Sequence, residues 1–293
     1  MKVISAIIAL FLTTSVFSQN DSTYCMKWKI QPDQAIRYNT YMVEMDTSES
    51  QAPSFNMDGL SKMLRDSSAK KHMDAAKQFF SRVNKSVEND VYVTMLTEKK
   101  PGIINIEMRL KSKPDSTADK NDTSGSKEFT KLMRLMSGSV TLRGTITEGG
   151  AIESFYLRND QKNLIALWYE LPNKAVKIGD SWPLEIHLIS MDQNFKCDSS
   201  FRINKVTLTA IHKSGNQTVA VLNYDVEEYV VGDFSNPFAG NEGQKTMMKA
   251  TYKGVSEFSI EKGRWISYDG IMAISSSGLM TSKSEKKFSL TAN

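Results

Sequence analysis

SVTLRGTITEGGAIESFYLR (139–158), NDQKNLIALWYELP (159–172) and NKAVKIGDSWPLEIHL (173–188) form the stretch whose reading decides the fold. The first piece reads as a β-hairpin. Glu148-Gly149-Gly150 supplies the positive-φ corner that a tight turn needs, and Val140, Leu142, Ile146 and Ile152 put apolar β-formers on its two arms. In the second piece Leu164, Leu167, Trp168 and Leu171 recur at i, i+3, i+4 and i+7, which predicts a helix over 160–171 stopped by Pro172. The third piece turns the chain into a new strand. Gly179 permits a positive-φ turn, Asp180 can close it through its side chain, and Trp182 opens the strand with a ring large enough to plug a barrel end.

Outward from this stretch the pattern is mostly period two. Ile104, Ile106, Met108 and Leu110 alternate with Asn105, Glu107, Arg109 and Lys111, so one face of that strand is buried and the other wet. Tyr24 to Ile30 and Ala35 to Asp46 read as a first pair of strands. Toward the C-terminus, Ala220, Leu222, Tyr224 and Val226 give one clean face, and Ala250, Tyr252, Gly254, Phe258 and Ile260 another. Between Ile203 and Val206 the apolar parity shifts, which predicts a bulge. Two further helices are expected, over 57–85 and 127–137, with a polar, mobile loop over 113–127 leading into the second. The expected fold is α+β: one domain over 19–293, a large curved antiparallel meander of about 10–12 strands, half-barrel or open barrel, covered by amphipathic helices.

The N-terminus reads as an export signal over 1–18. Lys2 precedes an uncharged apolar run from Val3 to Val16, and cleavage is expected after Ser18. That run is short for a membrane span and no later segment qualifies, which points to a bacterial periplasm or the extracellular space. In an oxidising compartment, Cys25 and Cys197 are expected to form a disulfide.

A balance of 37 basic and 33 acidic residues excludes a nucleic-acid partner on charge. The three histidines, His72, His187 and His212, lack the companions of a metal or catalytic site, and no nucleophile elbow or phosphate loop is present. Glu227 and Glu228 are adjacent on a strand, so they point to opposite faces and cannot act as a pair. Neither an enzyme nor a cofactor or metal is therefore expected.

The residues Leu171-Pro172-x-Lys174-x-Val176-x-x-Gly179-Asp180-Ser181-Trp182 resemble a turn found in uncharacterised exported bacterial β-rich proteins. The hairpin order is similar, in architecture only, to the half-barrel of periplasmic lipoprotein carriers, which implies a hollow that holds acyl chains. The function expected is an envelope protein that binds a lipid or other apolar ligand without catalysis, with a structural or protein-interaction module of the envelope as the alternative. The ligand-facing residues expected are Phe79, Phe80, Leu132, Met133, Met136 and Trp168, on the helical stripes.

Overall fold

The structure is a computed structural model, and it describes residues 22–45, 51–55, 89–111, 140–156, 159–191, 195–234, 244–278 and 280–292. The expected signal 1–18, the helices 57–85 and 127–137, the loop 113–127, and Phe79, Phe80, Leu132, Met133 and Met136 all lie outside these residues.

The chain runs β1 (Ala35–Met45), β2 (Gln51–Phe55), β3 (Asn89–Lys100), β4 (Ile103–Leu110), β5 (Val140–Thr147), β6 (Ile152–Phe155), α1 (Asn159–Tyr169) and β7 (Ser181–Trp182). It continues with β8 (Phe195–Ser214), β9 (Gln217–Phe234), β10 (Gln244–Ser259), β11 (Arg264–Ser277) and β12 (Met280–Ala292). All the strands join one antiparallel sheet in the order β6-β5-β4-β3-β1-β12-β11-β10-β9-β8-β7, with β2 paired to β12 off this path. The expected α+β fold with its helical cover is corrected by this arrangement. The described chain is nearly all β, and its one helix, 11 residues long, sits inside the curl of the sheet instead of lying over it.

The two sheet edges, β6 and β7, are consecutive strands, and α1 joins them. The helix meets β5 and β6 on one side, where Ile165 packs over Gly144. On the other side it is held by β11 and the N-terminal segment. The last carbonyls of an α-helix have no partner within it and need donors from elsewhere. Here Tyr268 Oη donates to the Leu167 carbonyl at 2.7 Å, Trp265 Nε1 to Trp168 at 2.6 Å, and Trp28 Nε1 to Tyr169 at 2.8 Å. Tyr252 Oη donates in turn to Tyr268 Oη at 2.7 Å, so one hydrogen-bond chain runs from β10 through β11 into the helix.

These donors belong to a solid aromatic plug. Trp28, Tyr38, Trp168, Tyr169, Tyr252, Phe258, Trp265 and Tyr268 are all fully buried. Trp28 meets Phe258 and Trp265 edge-on at 5.5 and 5.7 Å, and Phe258 meets Trp265 at 5.0 Å, spacings at which aromatic pairs attract beyond their burial.

Tyr24 to Ile30 is not a strand, apart from a single bridge between Tyr24 and Val176. The segment crosses the turn ends of two hairpins, with Trp28 N–H donating to Glu148 and Lys29 N–H to Gly263, so each residue finds a different partner and no ladder forms. The bulge expected between Ile203 and Val206 is absent. Ile203 simply lies on the outer face opposite Glu227, and the register shifts occur at Cys197/Ser199 and Leu208/Ala210.

The expected disulfide is also corrected: Cys25 and Cys197 are both free and exposed. Cys25 adjoins the Tyr24–Val176 bridge, and Gly179, three residues on from Val176, is bonded to Leu208. Cys197 lies eleven positions back along β8, roughly 35 Å at the rise of a strand, whereas a disulfide needs Cα atoms within about 7 Å.

Candidate functional site

The turn read from the sequence has a definite geometry. Gly179 holds φ 92°, Lys177 N–H donates to Asp180 Oδ2 at 2.8 Å, and Gly179 N–H and Asp180 O engage Leu208 of β8. Trp182 then pairs with Val206 and is buried. Trp168, the one expected ligand-facing residue among those described, belongs to the plug, its ring tilted against Phe288 at 5.8 Å.

Beyond the plug, β8 to β11 continue, and their registers carry the inner face with them. Val226, Tyr252 and Met272 share one row, Glu228, Ala250 and Ile274 the next, and Val230, Met248 and Ser276 the one after. Met42 of β1 and Met272 pack against the top of the plug, while Met248 is half-buried and Ile274 is 43% exposed. The result is a shelf that carries three flexible thioethers, bordered by Glu228 on one side and by Lys286 and Glu44 on the other. The sequence puts several of the adaptable methionines on the expected helical stripes; the described ones that gather are on strands, where period-two alternation is the signal.

Along the β8 side of the shelf runs Leu184–Ile189. Leu184 and Ile186 point inward and are buried, Glu185 and His187 outward, which is strand alternation. Side chains fasten this strap. Leu184 exchanges two hydrogen bonds with the Asn204 amide, Arg202 donates to Ile186 O, and Ile189 N–H donates to Glu228 Oε2 at 2.9 Å. On the helix side His187 exchanges two with the Asn163 amide, and Glu185 N–H donates to Glu170 Oε2 at 2.9 Å. Glu228 is nearly buried, its side chain 7% exposed, with Arg202 Nε 3.1 Å and His187 Nδ1 3.7 Å away. Its neighbour Glu227 faces outward to Lys249 at 2.8 Å, so the two carboxylates lie on opposite faces.

Burial pushes the Glu170 carboxyl up to about 7, opposed by the Glu185 N–H it accepts, raised further by the Glu185 carboxylate and lowered by Lys162. A raised folded-state value means that the group contributes stability in acid that is lost as pH rises through the window from about 4.5 to 7. At about 1.4 kcal/mol per unit, reduced for residual exposure, wild type loses about 2 kcal/mol of unfolding free energy between pH 5 and pH 8 that Glu170→Gln retains. Denaturant titrations of both proteins at the two pH values check this.

The outer face is of a different character. A trough of about 820 Å³ lies across β8 to β12, lined among others by Lys205, Asp225, Lys253, Asp269 and Lys287. Asp225 pairs with Lys253 and Asp269 with Lys287, so its charges largely cancel. Among the described residues no group of His, Cys, Asp or Glu is placed to hold a metal, and no described helix is long and apolar enough to cross a membrane. No family model, no curated protein and no solved structure matches this chain.

Proposed function

We propose that this chain is a non-catalytic carrier or binding protein for an apolar ligand such as an acyl chain, exported to the cell envelope. The observation that carries the reading is the continuation of the inner face past the aromatic plug, where Met42, Met248, Met272 and Ile274 offer adaptable apolar surface that no longer belongs to the solid core. The ligand lies on this shelf, with its chain on the methionines. Its polar end lies toward Arg202, Glu228 and His187.

The plug itself is excluded as the binding place because its rings fill it. A second reading, a protein-interaction module, is supported by the edge of β8. There, among the described residues, Lys196–Phe201 pairs only with β9 and is exposed, Phe201 by 52%, which offers a strand edge to a partner.

The test is titration with a fluorescent fatty acid. Ile274 is exposed enough for Ile274→Asp to fold, and the loss of its buried area on binding, at roughly 25 cal/mol per Å², lowers affinity about tenfold with the melting temperature little changed. Absence of any binding by wild type, or equal binding by Ile274→Asp, overturns the shelf and leaves the β8 edge as the site to pursue.

A further inference from the structure

We propose that Leu184–Ile189 is a latch, a strap that swings away from the sheet and the helix while both stay folded, and that it opens the side of the shelf. The passage it opens rests on the ligand reading above; the opening itself does not.

The strap is held by side chains. It has the alternation of a strand, yet among the described residues no backbone-to-backbone hydrogen bond reaches Leu184–Ile189. The pairing of β7 ends at Trp182. From there onward the chain occupies the place beside β8 where another strand would lie, and Asn204, Arg202 and Glu228 stand in for that strand's partners. Asn163 and Glu170 do the same from the helix. A ladder strand cannot leave without breaking a row of backbone bonds that its neighbours share. Side-chain clamps release by rotamer changes, with the backbone of β8, β9 and α1 undisturbed, so the strap opens without unfolding its neighbours, at the cost of exposing Leu184 and Ile186.

Opening also relieves a cost. The closed strap keeps the Glu170 carboxyl away from water, and hydration on opening favours its charged form. Glu170 faces Glu185 on the strap, Lys162 on α1 and Tyr224 on β9; Glu228 faces Arg202 on β8 and His187 on the strap. Because burial holds the Glu170 carboxyl up near 7 in the closed form, proton linkage makes opening easier as pH rises. With an ordinary carboxyl in the open form, the opening equilibrium increases about tenfold between pH 6 and pH 8.

Hydrogen exchange of the full mature chain, read by mass spectrometry with no ligand present, tests the latch. The peptide covering Leu184–Ile189 is expected to show protection factors at least about 100-fold below those of Val219–Val226 in β9. After correction for intrinsic rates, strap protection falls about tenfold more from pH 6 to pH 8 in wild type and stays level in Glu170→Gln. Strap amides as protected as those of β9 overturn the proposal, and so does a pH response unchanged by Glu170→Gln. Failure of the fatty acid to bind removes the shelf and leaves this result standing, so the two readings fail separately.

Discussion

Gly150→Ala lowers the unfolding free energy by more than about 3 kcal/mol, while Gly102→Ala, at a turn of nearly the same backbone shape, costs about 1 kcal/mol. Both glycines hold positive φ, 82° and 81°. A Cβ at Gly102 meets nothing within 4 Å. At Gly150 it meets the Tyr169 carbonyl oxygen, lies 2.5 Å from the Leu171 nitrogen and 2.9 Å from the Glu170 Cα. Those are backbone atoms at the end of α1, which cannot rotate aside as a side chain would. The difference between the two variants, measured by urea titration, isolates the contact between the β5–β6 turn and the buried helix end. Equal costs in the two variants contradict that contact.

The second large effect concerns the donors on the helix end. Trp265→Phe removes the N–H that reaches Trp168 O and leaves a carbonyl buried without a partner, at about 1–3 kcal/mol, with a further cost for the smaller ring. The expected total is about 3 kcal/mol. Tyr268→Phe costs about 2 kcal/mol, because it takes the hydroxyl that both accepts from Tyr252 and donates to Leu167. Tyr156→Phe, at a ring 56% exposed, changes stability by less than about 0.5 kcal/mol. If all three changes proved equivalent, the donors would not be what holds the helix end in place.

The local parts of this fold are written locally. Ile104 to Leu110 and Ala220 to Val226 alternate in sequence and alternate in burial, and the Glu148-Gly149-Gly150 corner turns where its glycines permit. The helix after it follows from the 3.6-residue spacing of Leu164, Leu167 and Trp168, although it ends at Tyr169, before Leu171. What escaped the sequence depends on distant partners. Trp28 caps a carbonyl 141 residues away, and nothing near Trp28 announces it. Tyr24 to Ile30 has the composition of a strand, but its backbone bonds go to Val176, Glu148 and Gly263 in turn. The helical cover was inferred from amphipathic stripes, whereas the described hollow is filled by aromatic side chains and by the one helix within it.

The candidate site was less legible still. Glu227-Glu228 reads as a pair split between two faces, which it is, but burial of Glu228 beneath a strap cannot be read from the pair itself. Leu184, Ile186 and Leu188 alternate like any strand; only the fold reveals that side chains hold the backbone here, Asn204 at Leu184, Asn163 at His187 and Glu228 at Ile189. Met248 and Met272 become members of one surface through the β10–β11 register, a long-range fact.

On the function proposed above, an apolar ligand rests on the strand methionines above a solid plug. Native mass spectrometry of the protein purified from its own host tests it most directly. The expected result is a population heavier than the mature chain by the mass of a lipid, released on denaturation and strongly reduced in Ile274→Asp. Bare protein alone, or equal retention of the adduct by Ile274→Asp, contradicts it.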